Sequence, residues 1–84
     1  MTTRAEVFDL VTQERARQAR KWAGDHEWGN GDCSSRGVAE ITKVAVLGEE
    51  FGEVARAVLD GNAGDLQTEL VQVAAVAVAW LESL

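Results

Sequence analysis

Three carboxylates, Glu49, Glu50 and Glu53, crowd into five residues of an otherwise apolar segment. A helix turns about 100° per residue, so the three fall within roughly a third of its circumference, with Glu49 and Glu53 nearly above one another. Like charges at that spacing repel by a few tenths of a kcal/mol per pair. A helix has no structural reason to gather them unless something positive sits there, and a divalent cation held by oxygen ligands is the natural occupant. Further along, Glu69 and Gln72 stand three residues apart where a long apolar run begins. Helical bundles build metal sites from such inward carboxylates at i,i+3 and i,i+4 on facing helices. Without clustered cysteine or histidine, oxygen-only ligation favours Mg²⁺, or Mn²⁺, over zinc. The competing reading pairs the glutamates with Arg or Lys from the first helix. The chain shows no Ser–His pair, no Gly-rich phosphate loop and no P-loop lysine, which leaves metal-activated water as its hydrolytic route.

The elements that must position these groups are expected to be helices. Eighty-four residues without proline, rich in alanine, leucine, glutamate and glutamine, read as one all-α domain over 1–84. A chain of this size is marginally stable without staples or oligomerisation. Its single cysteine, Cys33, excludes an internal disulfide framework and a cysteine-rich zinc site. The net charge of −6 argues against polymeric nucleic acid as a partner, but leaves room for a small anionic ligand offset by a metal and a few basic residues. The longest apolar run, Val73 to Leu81, is far short of the ~20 residues that span a bilayer. No signal-peptide pattern is present, so a cytoplasmic location is expected.

Thr3-Arg-Ala-Glu6 has the form of a capping box and places the first helix over 3–22. Its face begins apolar with Val7, Leu10 and Val11, then turns to Glu14, Gln18 and Trp22, as if the second half lined a wet cleft. Arg15, Arg17, Arg20 and Lys21 cluster there; cations at a helix C-terminus are also favoured by the dipole. Residues 23–37 form a glycine-rich polar loop carrying the only histidine, His26, and Trp28. A loop this long in so small a domain is functional or disordered, and its aromatics favour packing or stacking on a planar ligand. Cys33 has no activating partner nearby and reads as incidental.

The second helix is expected over 38–60, stopped by Gly61, with Val44, Leu47, Phe51, Val54 and Val58 as its core stripe. Gly48 and Gly52 should let a neighbouring helix come close. After Gly61-Asn62-Ala63-Gly64, a third helix over 65–84 takes Asp65 as its N-cap. From Leu70 to Leu81 it is apolar nearly all round, more than two helices of one chain can cover, so a second subunit is expected. The architecture is thus an antiparallel bundle of about three helices per chain, completed by oligomerisation.

Glu49-Glu50-Phe-Gly-Glu53 has the form E-E-x-x-E, and Glu69-Leu-Val-Gln72 stands where an E-x-x-D motif would follow. With Trp22 and His26 spaced as W-x3-H before the acidic helix, the chain resembles the MazG-like branch of the all-α nucleotide pyrophosphohydrolases. The resemblance covers most of the chain and is best over 43–84. It implies Mg²⁺-dependent cleavage of a nucleoside triphosphate to the monophosphate and pyrophosphate by a homodimer or homotetramer. It implies metal binding by Glu50, Glu53 and Glu69, with Gln72 in the fourth place. Glu49 would bind metal or orient the attacking water, and Trp22 and His26 would contact the base. Arg17 and Lys21 are added as phosphate-binding candidates, and Trp28 as a stacking one. Gln72 departs from the family's aspartate: its carbonyl can coordinate Mg²⁺ but brings no charge, and Asp65 could compensate. The family's additional helix would be absent or come from a partner. The alternative is a catalytically degenerate relative that binds nucleotide or a protein partner without turnover.

Overall fold

The computed structural model describes residues 1–84 as three helices and one small hairpin: α1 (Arg4–Lys21), β1 (Asp25–His26), β2 (Gly29–Asn30), α2 (Glu40–Leu59) and α3 (Ala63–Glu82). The fold is therefore mostly helical, with a hairpin inside the segment read as a plain loop. α1 starts as its sequence dictates: the Thr3 side chain accepts from the Glu6 N–H while Glu6 reaches back to the Thr3 backbone.

α2 begins two residues later than expected. Val38 is drawn into an antiparallel bridge with Gly29 and buried, so helix geometry starts only after Ala39. The helix ends as expected, with Gly61 at φ +66 directly after the Asp60 cap. The cap of α3 is not Asp65 but Asn62, whose side chain accepts from the Asp65 N–H at 3.0 Å. Gly61 already supplies the left-handed turn, so the next residue can cap at once, and asparagine is among the best residues for it. Asp65 falls in the first turn of α3, where its charge suits the helix dipole.

α1 and α2 each pack on α3 and not on one another. The three helices form an open V with α3 as its spine. The core is built from small residues: Ala57 of α2, Ala75, Val76 and Ala79 of α3, and Val11 of α1 are buried. The stripe assigned to the core of α2 does not all face it. Leu47 and Val54 are half-buried, whereas Val44, Phe51 and Val58 are exposed, because Lys43 and Ala57 occupy the side toward α3. Gly48 and Gly52 have no atom within 4 Å of where a Cβ would sit, so no neighbouring helix of this chain approaches them. Leu70 and Leu81 of α3 also stay exposed. No helix is long and apolar enough to cross a membrane.

The segment between α1 and α2 is held at its middle. Arg15 donates to Asp32 at 2.8 Å and to Glu82 at 2.7 Å, tying the loop to α1 and to the end of α3. Asp32 is buried and also accepts from the Ser34 backbone and hydroxyl. The Lys43 ammonium, buried, donates to the Ser83 hydroxyl at 2.8 Å, which in turn donates to the Trp80 carbonyl. This joins the first turn of α2 to the last carbonyls of α3, where a cation suits the dipole.

Candidate metal and nucleotide site

Between the arms of the V lies a cleft of about 690 Å³, within the range of small-molecule sites. One end is acidic. Glu50 and Glu53 project from α2 at i,i+3 and Glu69 from α3, with one carboxylate oxygen of each within 4.8 Å of the others. Gln72, one turn beyond Glu69, closes this group. With its nitrogen turned inward, the Gln72 amide donates to Glu69 Oε2 at 2.8 Å and to Glu50 Oε2 at 3.1 Å. With its oxygen inward, it would add a fourth oxygen ligand instead. Glu49 lines the cleft on the next face of α2 but lies outside this cluster.

The charges are not neutralised by pairing. The four ion pairs of the molecule include none of Glu49, Glu50, Glu53 and Glu69. Lys43, near them in sequence, points away into the α3 contact, and Arg56 lies 4.0 Å from Asp60. The strain appears in the acidities. A hydrogen bond shared with Glu53, followed by lost hydration and the charges of Glu53, Glu50 and Asp65, pushes the Glu69 carboxyl up to about 7. Burial, then the charges of Glu53, Glu14 and Glu49, also raises that of Glu50, with Lys21 opposing. Hard oxygen donors with no cationic partner suit a small divalent cation.

Arg17 and Lys21 line the opposite wall. The Arg17 guanidinium grips Glu14 with two bonds of 2.7 and 2.6 Å, and this pairing holds Glu14 below its ordinary range and raises Arg17. Gln18, buried beside them, donates to the same carboxylate at 3.2 Å. Glu14 was not singled out as a site residue in the sequence. The structure sets it close enough to Glu50 to disfavour that residue's charge. The available signal was its place on the turn preceding Gln18, where the apolar stripe of the first helix breaks.

The far end is aromatic. Trp22 ends α1, and Lys21 Nζ lies 5.4 Å from its ring centroid, within cation–π range. The hairpin, paired Asp25 to Asn30 and His26 to Gly29, presents Trp28 at its tip, 57 % exposed. Its geometry depends on Gly29, whose φ of +139 and close approach to the Gly37 carbonyl exclude a side chain. Both ring nitrogens of His26 are spent within this segment. Nδ1 accepts from the Trp28 N–H at 3.1 Å, so Nε2 carries the proton and donates to the Gly31 carbonyl at 2.6 Å. What His26 offers the cleft is its ring, set edge-on to Trp22 at 5.3 Å between centroids. Cys33 lines the cleft as well, with its thiol pushed up by burial.

The structure thus gathers Glu50, Glu53, Glu69 and Gln72 in one cluster, of which Glu50 and Glu53 line the cleft, and sets Arg17, Lys21, Trp22, His26 and Trp28 in the lining of the same cleft. No known protein family, curated protein or solved structure matches this chain.

Proposed function

We propose that the protein is a Mg²⁺-dependent nucleoside triphosphate pyrophosphohydrolase of the MazG-like kind, cleaving an NTP or dNTP to the monophosphate and pyrophosphate. The observation that carries the reading is the order of chemistry along one cleft: an unpaired carboxylate cluster, then two cations, then two tryptophans. A nucleoside triphosphate has the same order, from metal-binding phosphate oxygens to a planar base. Glu50, Glu53 and Glu69, with Gln72 through its carbonyl, are the groups that would hold Mg²⁺, or Mn²⁺. When bound, the ion supplies positive charge for the phosphate oxygens and Lewis acidity for hydrolysis. Glu49, on the cleft side of the cluster, orients the attacking water. Arg17 and Lys21 bind phosphate oxygens, and Trp22 and Trp28 take the base between apolar faces, with His26 fixing the loop that presents them. The enzyme would act in the cytoplasm, as a homodimer or homotetramer, in removing unwanted nucleotides.

The test is pyrophosphate release from a panel of canonical and modified triphosphates with Mg²⁺, comparing wild type with Glu53→Gln. Turnover is expected in the first and not in the second. No turnover of any triphosphate, together with no thermal stabilisation by Mg²⁺ or Mn²⁺, overturns the reading. One observation favours the second reading, a degenerate relative that binds without turnover: the inward amide nitrogen of Gln72 satisfies two of the carboxylates that a metal would otherwise need to satisfy. Gln72→Asp separates the two. A large gain in rate marks the natural protein as crippled at this corner, and an unchanged rate marks a working variant site.

A further inference from the structure

α2 has a second apolar face without a partner in the chain. Ile41, Val44, Gly48, Phe51, Ala55 and Val58 recur at alternating steps of three and four, the spacing of a coiled-coil seam, and all six are exposed. Ala45, Gly52 and Leu59 widen the face on one flank, again all exposed, so no charge interrupts it from Ile41 to Leu59. Its large members stand far into solvent: Ile41 is 76 %, Phe51 68 % and Leu59 79 % exposed. A helix packed on one core needs one such stripe; α2 has a second on the side away from α3. Gly48 and Gly52 weaken the helix, yet nothing in the chain comes near enough to require them.

The whole molecule carries the same excess. It exposes 5754 Å², whereas a folded monomer of 9.1 kDa exposes about 4,900 Å². The difference, on the order of 850 Å², is shared between this face and the walls of the open cleft, and is of the size, ~800 Å², that each partner buries in a standard interface.

We infer that this face is an interface between two copies of the chain, with their α2 helices packed antiparallel about a two-fold axis. The seam is its own complement when reversed. Ile41 meets the partner's Val58, Val44 meets the partner's Ala55, and Gly48 meets the partner's Phe51, so the largest side chain lies over the gap left by the smallest. A two-fold contact requires this reciprocity, residue i on j and j on i; a foreign helix would not. A parallel pair would set Phe51 on Phe51 and leave Gly48 opposite Gly48, crowding one layer and emptying the next. The antiparallel arrangement brings together the flanks that hold Ala45, Gly52 and Leu59. Ala45 also lines the cleft, so the partner's Leu59 beside it extends the cleft wall. This last link deepens the proposed oligomeric hydrolase and rests on that reading; the contact between copies does not.

The test is sedimentation of the full chain over a range of concentrations, with Phe51→Asp beside wild type and helicity checked by circular dichroism. Wild type is expected to dimerise, and the variant to stay helical with a dissociation constant raised at least about thirtyfold, as for loss of a central aromatic anchor. Gly48→Ala is a better helix former but fills the gap under Phe51, so it too should weaken the dimer. Orientation is read by oxidation in a Cys33→Ser background. Ile41→Cys and Val58→Cys proteins should stay unlinked alone and form a covalent dimer when mixed, a readout that holds even if Phe51→Asp does not fold. A monomeric wild type, an undiminished dimer in Phe51→Asp, or self-linking of Ile41→Cys overturns the inference. None of these measurements uses a nucleotide, so failure of the hydrolase reading leaves their outcome intact.

Discussion

Gln72 governs how the carboxylate cluster behaves without a cation. Its amide can donate to Glu69 and Glu50 together, which relieves two of the three acids. Gln72→Asp removes both donors and adds a fourth like charge. In EDTA this variant should lose about 1–2 kcal/mol in urea unfolding, and Mg²⁺ should restore more stability to it than it adds to wild type. The acidities give a second expectation. Glu69 titrates at about 7 in the folded chain against an ordinary 4.5, so the folded form holds this proton more tightly than the unfolded form. Its stabilising contribution is complete below pH 4.5 and is lost as the pH rises through about 7. Thermal unfolding in EDTA should therefore show stability falling over that window. On the proposed reading Mg²⁺ would compete with the proton, so its stabilising effect should grow over the same window. Asp32 and Glu14 shift the other way: their carboxyls are held down, so their contributions are present above their ordinary pKa values and disappear in stronger acid. The cluster itself was legible in the sequence because like charges on one helix face demand an explanation. The role of His26 was not, because spacing does not reveal that a turn's own N–H and C=O groups claim both ring nitrogens.

Among the elements, the segment between α1 and α2 is tied down by Arg15 as well as by the buried Val38. Arg15 and Asp32 are largely shielded, with side chains 13 % and 6 % exposed. Removing the guanidinium leaves a buried carboxylate with only its Ser34 donors, and frees Glu82 at the end of α3. Arg15→Ala should cost about 3 kcal/mol in chemical denaturation, at the lower end for breaking a buried pair because those donors remain. It should also raise the exchange rate of amide hydrogens across 23–37. The sequence placed Arg15 among cations near a helix end, where the dipole accounts for any of them; its partners lie 17 and 67 residues away, beyond the reach of local pattern. The capping box of α1 and the Gly61 stop were readable because each depends on neighbours within four residues. The α3 cap was misassigned by three residues because Asn62 and Asp65 are both good capping types, and only the tight Gly61 turn chooses between them. α2 shows the limit of periodicity most clearly: an apolar stripe at helical spacing says that a face avoids water, not which molecule covers it.

At the scale of the molecule, the chain is more open than its length requires. Its radius of gyration is 13.2 Å, where about 12 Å is expected for 84 residues. Two helices of one chain leave Leu70, Val78 and Leu81 of the apolar α3 exposed, whereas Phe51, expected in the core of α2, stands in solvent instead. The open V itself was not legible, because the sequence pattern of three amphipathic helices fits a closed bundle equally well.

The gap between α1 and α2 has a consequence for how occupancy should be detected. The two arms touch α3 and not one another, so in the free protein they are coupled only through α3 and the segment that links them. A molecule lying in the cleft would touch both arms and serve as the layer that a closed bundle would have placed there. Folding and binding should then be measured on one scale. At a hundredfold excess over its dissociation constant, a Mg²⁺–triphosphate complex that cannot be hydrolysed should add about 2.7 kcal/mol. In a domain of this size that is roughly 10–20 °C of melting temperature, with the largest gain in hydrogen-exchange protection along α1. The protein would report its own ligand as a missing piece of its architecture, and a screen for the tightest base could be run with a thermometer.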